Sequence, residues 1–149
     1  MGRVPRRLPE ARRLSPLVIV LQWLHVLFGV FWFGSQMYLD LTIKPQVAKL
    51  PNGVREEFSS GLGSGLARRI TLITATGTVV LGALRGVAGG VLDVLGTAYG
   101  LTWLAAFAIG VVMMLSIWTR GFGGRVRTPV WYALFLVMFS LMIAMRFGY

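Results

Sequence analysis

A single histidine, a stripe of polar residues and a set of methionines are the groups in this chain whose types and spacing could do chemistry. His25 is the only histidine among 149 residues, and there is no cysteine. Gln22, His25, Gly29, Trp32 and Gln36 are separated by 3, 4, 3 and 4 positions, which places them along one face of a helix. An imidazole on such a face can bind haem iron or copper through one nitrogen, with Gln22 or a backbone carbonyl orienting the ring through the other. The structural alternative is a neutral histidine hydrogen-bonded between helices. Met138, Met142 and Met145 recur at i, i+4 and i+7, and Met113 and Met114 lie in an earlier apolar run. Thioethers suit Cu(I) and serve as axial haem ligands, although the same stripe also makes adaptable packing. The candidate metal ligands are therefore His25, Met113, Met138 and Met142. Arg69, Arg85, Arg120 and Arg146 stand at the ends of apolar runs, where they can hold haem carboxylates, an anionic quinone or a lipid headgroup. The candidate cofactor contacts are His25, Gln22, Gln36, Trp32 and Arg85.

These residues need elements to position them, and the hydropathy supplies four. Residues 17–39 hold no formal charge and are long enough to cross a bilayer core as a helix. Ser15 and Pro16 suit the cap and first turn, and Tyr38 marks an interfacial end. A polar seam on this span cannot face lipid and must turn toward other helices, a cofactor or a wet cleft. Further spans are expected at about 69–88, 100–119 and 129–147. The second has only 15 uncharged residues, 70–84, between Arg69 and Arg85. It also carries Thr74, Thr78, Gly82 and Gly86 every four positions, a ladder that permits close helix approach. Thr128 and Pro129 are placed to open the fourth span. The fold class expected is an all-α membrane protein, a four-transmembrane-helix bundle over residues 17–147 behind a basic tail at 1–16. Residues 40–68 read as a polar connection with a short interfacial helix after Pro51-Asn52-Gly53, and 87–99 as a loop at the membrane surface.

Composition narrows the function classes. With 56% hydrophobic residues and a mean hydropathy of +0.72, the chain is expected in lipid rather than in water. The net charge of +10 does not point to nucleic acid, because the basic residues sit mostly at the ends of apolar runs. Absence of cysteine excludes disulfides, Fe–S clusters, thiol catalysis and thioether-linked haem. No Ser/His/Asp set, phosphate loop or zinc motif is present. No carboxylate is expected inside a span, with Asp40 and Asp93 at edges or in loops, which disfavours a proton-coupled exporter. The arginine-rich opening reads as the flank of a retained first helix rather than a signal peptide, since the apolar run is too long and lacks a cleavage site. Lys and Arg are nearly balanced between the two sides, and the cost of translocating the tail favours cytoplasmic termini.

The string LQWLHVLFGVFWFGSQMYLDLTIKPQV resembles the start of the copper-resistance-D-like group of small bacterial membrane proteins. The matching residues are Leu24-His25, the aromatic–glycine pair Phe33-Gly34 and Pro45. The outline is also similar to the four-helix membrane protoporphyrinogen oxidase family, whose first-helix histidine is implicated in haem binding. The resemblance implies a role for His25 toward b-type haem, with copper the lesser expectation, in redox or metal handling at the bacterial inner (plasma) membrane. The alternative is an accessory or scaffold subunit without chemistry in a larger membrane complex. One histidine gives one strong ligand per chain, so a homodimer sharing a haem through two copies of His25 is also expected.

Overall fold

The computed structural model describes residues 15–63, 65–120 and 128–147. The basic tail and the turn carrying Arg125 and Arg127 lie outside them, as does the side chain of Arg120. The first helix, α1, runs Pro16–Tyr38 and starts where the sequence expects. Pro16 occupies the first turn, and the Val18 N–H donates to Ser15 Oγ at 3.3 Å. Its end differs from the expectation. The chain continues through a π-helical turn, Leu39–Ile43, into a short α2 at Lys44–Val47, so the apolar helix extends over Pro16–Val47. Two causes can be named. No helix breaker precedes Pro45, and Asp40 is neutralised by Lys44 one turn on. Pro45 brings no N–H to the carbonyl four residues back, and the widened turn just before it is where the ladder shifts register.

An exposed helix, α3 at Asn52–Gly63, follows, with Val54 and Phe58 one turn apart on it. This is the short helix expected after the Pro-Asn-Gly turn. The next helix, α4, covers Leu66–Ala88. Its uncharged stretch is short, but the helix includes Arg68, Arg69 and Arg85 in its end turns. Twenty-three residues give about 34 Å, enough to cross a bilayer. Lipid offers no hydrogen bonds, and the buried threonines of α4 find theirs within the helix. The hydroxyls of Thr71, Thr74 and Thr78 donate to the carbonyls of Ala67, Ile70 and Thr74 at 3.2, 2.9 and 2.7 Å.

Gly90, with φ +78°, turns the chain out of α4 in a left-handed conformation that glycine adopts without strain. The expected surface loop is thus mostly helix end and a 3₁₀ turn, Val91–Val94, with Val91 buried. The last helices are α5, Ala98–Arg120, and α6, Thr128–Arg146. Four helices are long and apolar enough to cross a membrane, and no strand occurs among the described residues. The protein is an all-α, multi-pass membrane fold.

Packing runs α1 on α4, α4 on α5, and α5 on α6, with the α1–α4 contact the most extensive. The small-residue ladder of α4 serves these contacts within one chain. Gly82 sits against the ring of His25, and Gly86 against that of Trp103. Between α1 and α6 the join is aromatic. Trp32 meets Trp131 and Phe135 edge-on, with ring centroids 6.5 and 5.2 Å apart, and Phe33 lies 4.3 Å from Phe135. The core formed by Trp32, Ala75, Met113, Ile117, Phe135 and Met138 fills one half of the bundle. The other half packs around a hollow.

Candidate functional site

The hollow is a cavity of about 530 Å³, walled by the start of α1, the end of α4, the start of α5 and the end of α6. Its size falls within the roughly 300–1,000 Å³ usual for cofactor and small-molecule sites. His25 lies on its α1 wall. The ring Nδ1 is 2.8 Å from the carbonyl oxygen of Thr78. A carbonyl can only accept, so Nδ1 carries the proton and donates, and Nε2 keeps its lone pair. The Thr78 carbonyl orients the ring, an arrangement common to a ligand held by a backbone carbonyl and to a neutral histidine hydrogen-bonded between helices. Gln22 lines the cavity without bonding the ring. Gly82 makes the geometry possible, because a Cβ there would lie 2.8 Å from Cε1 and 3.0 Å from Nδ1 of His25.

The polar end of the cavity is built by α4, α5 and α6. Arg85 donates from Nη1 to the Tyr99 hydroxyl at 3.2 Å, while its Nε is buried without a partner. Arg146 lines the same cavity from the end of α6. Two cationic side chains at one end of a mainly apolar space have the charge to hold anionic groups on a hydrophobic body. On the α5 wall, Trp103 and Phe107 stack with centroids 5.3 Å apart and planes 2° from parallel. The floor is Trp32, fully buried, with an indole Nε1 that also has no partner.

The candidates from the sequence divide cleanly. His25, Gln22, Trp32, Arg85, Met138 and Met142 all line the cavity. Gln36 does not. It is half-buried one turn beyond Trp32, past the floor, because an i, i+3, i+4 stripe stays on one face but leaves the cavity's depth. Met113 is packed behind Trp32 in the core, and Met114 is likewise absent from the lining. Met145 completes the cavity's methionine wall. Tyr99 and Trp103 read as interfacial markers in the sequence, yet both line the site. Their spacing carried the signal, since Tyr99, Trp103, Phe107 and Gly110 fall at i, i+4, i+8 and i+11.

A second polar cluster lies at the opposite end of the bundle. The Tyr132 hydroxyl donates to Asp40 Oδ2 at 3.2 Å, and Lys44 pairs with Oδ1. Asp40 was expected at a span edge. It lies in the continuation of the first apolar helix, half-buried, with Oδ1 ion-paired to Lys44 and Oδ2 hydrogen-bonded by Tyr132.

No group of three or more His, Cys, Asp or Glu suited to a metal occurs among the described residues. A donor set here is one imidazole with thioethers, which suits haem iron or Cu(I) and not a hard cation. The fold and site define a multi-pass helical membrane protein with a cofactor-sized cavity inside its bundle. No family model, curated protein or solved structure matches the chain.

Proposed function

We propose that the cavity holds b-type haem and that the protein acts in membrane redox chemistry. One observation carries this reading. The only histidine projects into the cavity with Nδ1 bonded to Thr78, leaving Nε2 as a ligand, while Arg85 and Arg146 supply positive charge at the cavity's end. A second-site hydrogen bond that fixes tautomer and ring plane is what metal-bound imidazoles require. Haem is a hydrophobic disc with two carboxylates, and the apolar aromatic walls with an arginine end match that polarity. The buried, unpartnered Nε of Arg85 is a donor left over for a carboxylate. Bound haem supplies one-electron transfer at its iron. The chain's own residues orient the ligand, hold its anionic groups and exclude water. On this reading the protein resides in the inner (plasma) membrane with cytoplasmic termini.

The test is the absorption spectrum of protein purified after haem-replete expression. A Soret band that disappears in His25→Ala is the expected result. A colourless wild-type protein sinks the reading. Copper is the second reading, favoured by the sharing of one cavity between His25 and three methionines. Elemental analysis separates the two, since copper without a Soret band selects the latter. An accessory subunit would instead copurify with a larger complex and carry an empty cavity.

A further inference from the structure

We infer that Met142 supplies the second axial ligand to the iron, making a histidine–methionine pair from a single chain. The inference rests on the haem reading. Depth along the helices distinguishes the three methionines of the lining. Both helices meet the cavity at the end where α1 begins and α6 stops. His25 lies nine residues after Pro16, so its Cα is about 13 Å in from that end. Helical side chains lean toward their own N-terminus, which brings the ring nearer the end. Contact with Gly82 and the bond to the Thr78 carbonyl, six and ten residues before the close of α4, put the ring at roughly 9–13 Å.

On α6 the lean runs the other way, inward, because that helix ends where α1 starts. Met142 is four residues before Arg146, so its Cα is about 6 Å in and its three-bond side chain carries the sulfur deeper. On these offsets its sulfur comes nearer the level of the His25 ring than that of Met138 or Met145. Met138 is about 12 Å in, buried, and leans further into the core, with its sulfur close to Gly110. Met145 adjoins Arg146 at the cavity's end. The cavity lining contains no cysteine, carboxylate or second histidine. A thioether is the soft donor available, and Met142 is the one nearest the right depth. A histidine–methionine pair closes both axial positions, which suits electron transfer over binding of oxygen.

The experiment is optical and magnetic spectroscopy of the haem-loaded protein and three conservative variants. The wild type should be low-spin in the ferric state, with the weak far-red band of sulfur-to-iron charge transfer. Met142→Leu should keep a full haem complement yet become high-spin and lose the band. Met138→Leu and Met145→Leu should keep both features. Met142→His should restore a low-spin spectrum without the sulfur band, and it covers the case in which the leucine variant fails to fold. A wild-type high-spin spectrum overturns the inference, as does loss of the band in Met138→Leu or Met145→Leu instead. Both results leave haem binding by His25 standing. Absence of haem from the wild type removes the underlying reading itself.

Discussion

At the scale of single residues, the site depends on small groups holding larger ones. Gly82 leaves the space in which the His25 ring reaches Thr78, and a methyl group there would sit inside contact distance of two ring atoms. Gly82→Ala should weaken haem binding about tenfold or more, equivalent to ~1.4 kcal/mol. Gly34→Ala, where a Cβ meets nothing within 4 Å, should not. Titration with haemin checks both. Arg85 makes a prediction with opposite signs. Its buried Nε lacks a partner, so Arg85→Met should leave the empty protein as stable or more so. The same change should cost the anionic ligand about 1.5–3 kcal/mol, the range for hydrogen bonds to charged groups. Thermal unfolding in detergent, with and without ligand, reads both effects. His25, Arg85, Met138 and Met142 were legible in the sequence as polar or sulfur-bearing groups in apolar spans, whereas Met113, of the same type, packs in the core and Met145 took its place in the lining. Tyr99 and Trp103 were less so, since an aromatic near a span's end has an equally good explanation at the lipid interface.

At the scale of elements, the helices themselves were plain in the hydropathy, and their ends were not. The first helix runs on past Tyr38 because Asp40 and Lys44, which look like the start of a polar connection, neutralise each other a turn apart. Spacing alone could suggest that pair but could not show that Tyr132, 92 positions away, binds the same carboxylate. This cluster ties the π-helical turn to α6 at the end of the bundle opposite the cavity. Tyr132→Phe should therefore destabilise the protein by about 1.5–3 kcal/mol, as a hydrogen bond to a charged group is lost. Lys44→Met should cost less, about 0–1 kcal/mol, since the Lys44 side chain is more than half exposed. Denaturation of the two single variants and the double variant measures the coupling through Asp40. If Lys44→Met proves the costlier change, the carboxylate is held by its ion pair and not from α6.

At the scale of the whole molecule, the four helices share their small residues, rings and cavity within one chain, and this bears on assembly. From the sequence, the threonine–glycine ladder of α4 offered a surface for a second copy as readily as for a neighbour in the same bundle. The fold uses it internally, with Gly82 and Gly86 against His25 and Trp103. Periodicity can identify a close-approach face but not which helix approaches, because that depends on how the spans are arranged in the plane of the membrane. The consequence concerns stoichiometry. A homodimer that shares one haem between two copies of His25 needs both imidazoles to reach one iron, yet here the half-buried His25 is bonded to α4 and faces a cavity of its own chain. On the haem reading we therefore expect one haem per chain, whatever the number of chains in the assembly. Native mass measurement in lipid nanodiscs, combined with haem quantitation, gives the ratio directly. A ratio of one haem to two chains, lost together with the dimer on dilution, would require the iron to lie between subunits and would move the second ligand from α6 to the partner.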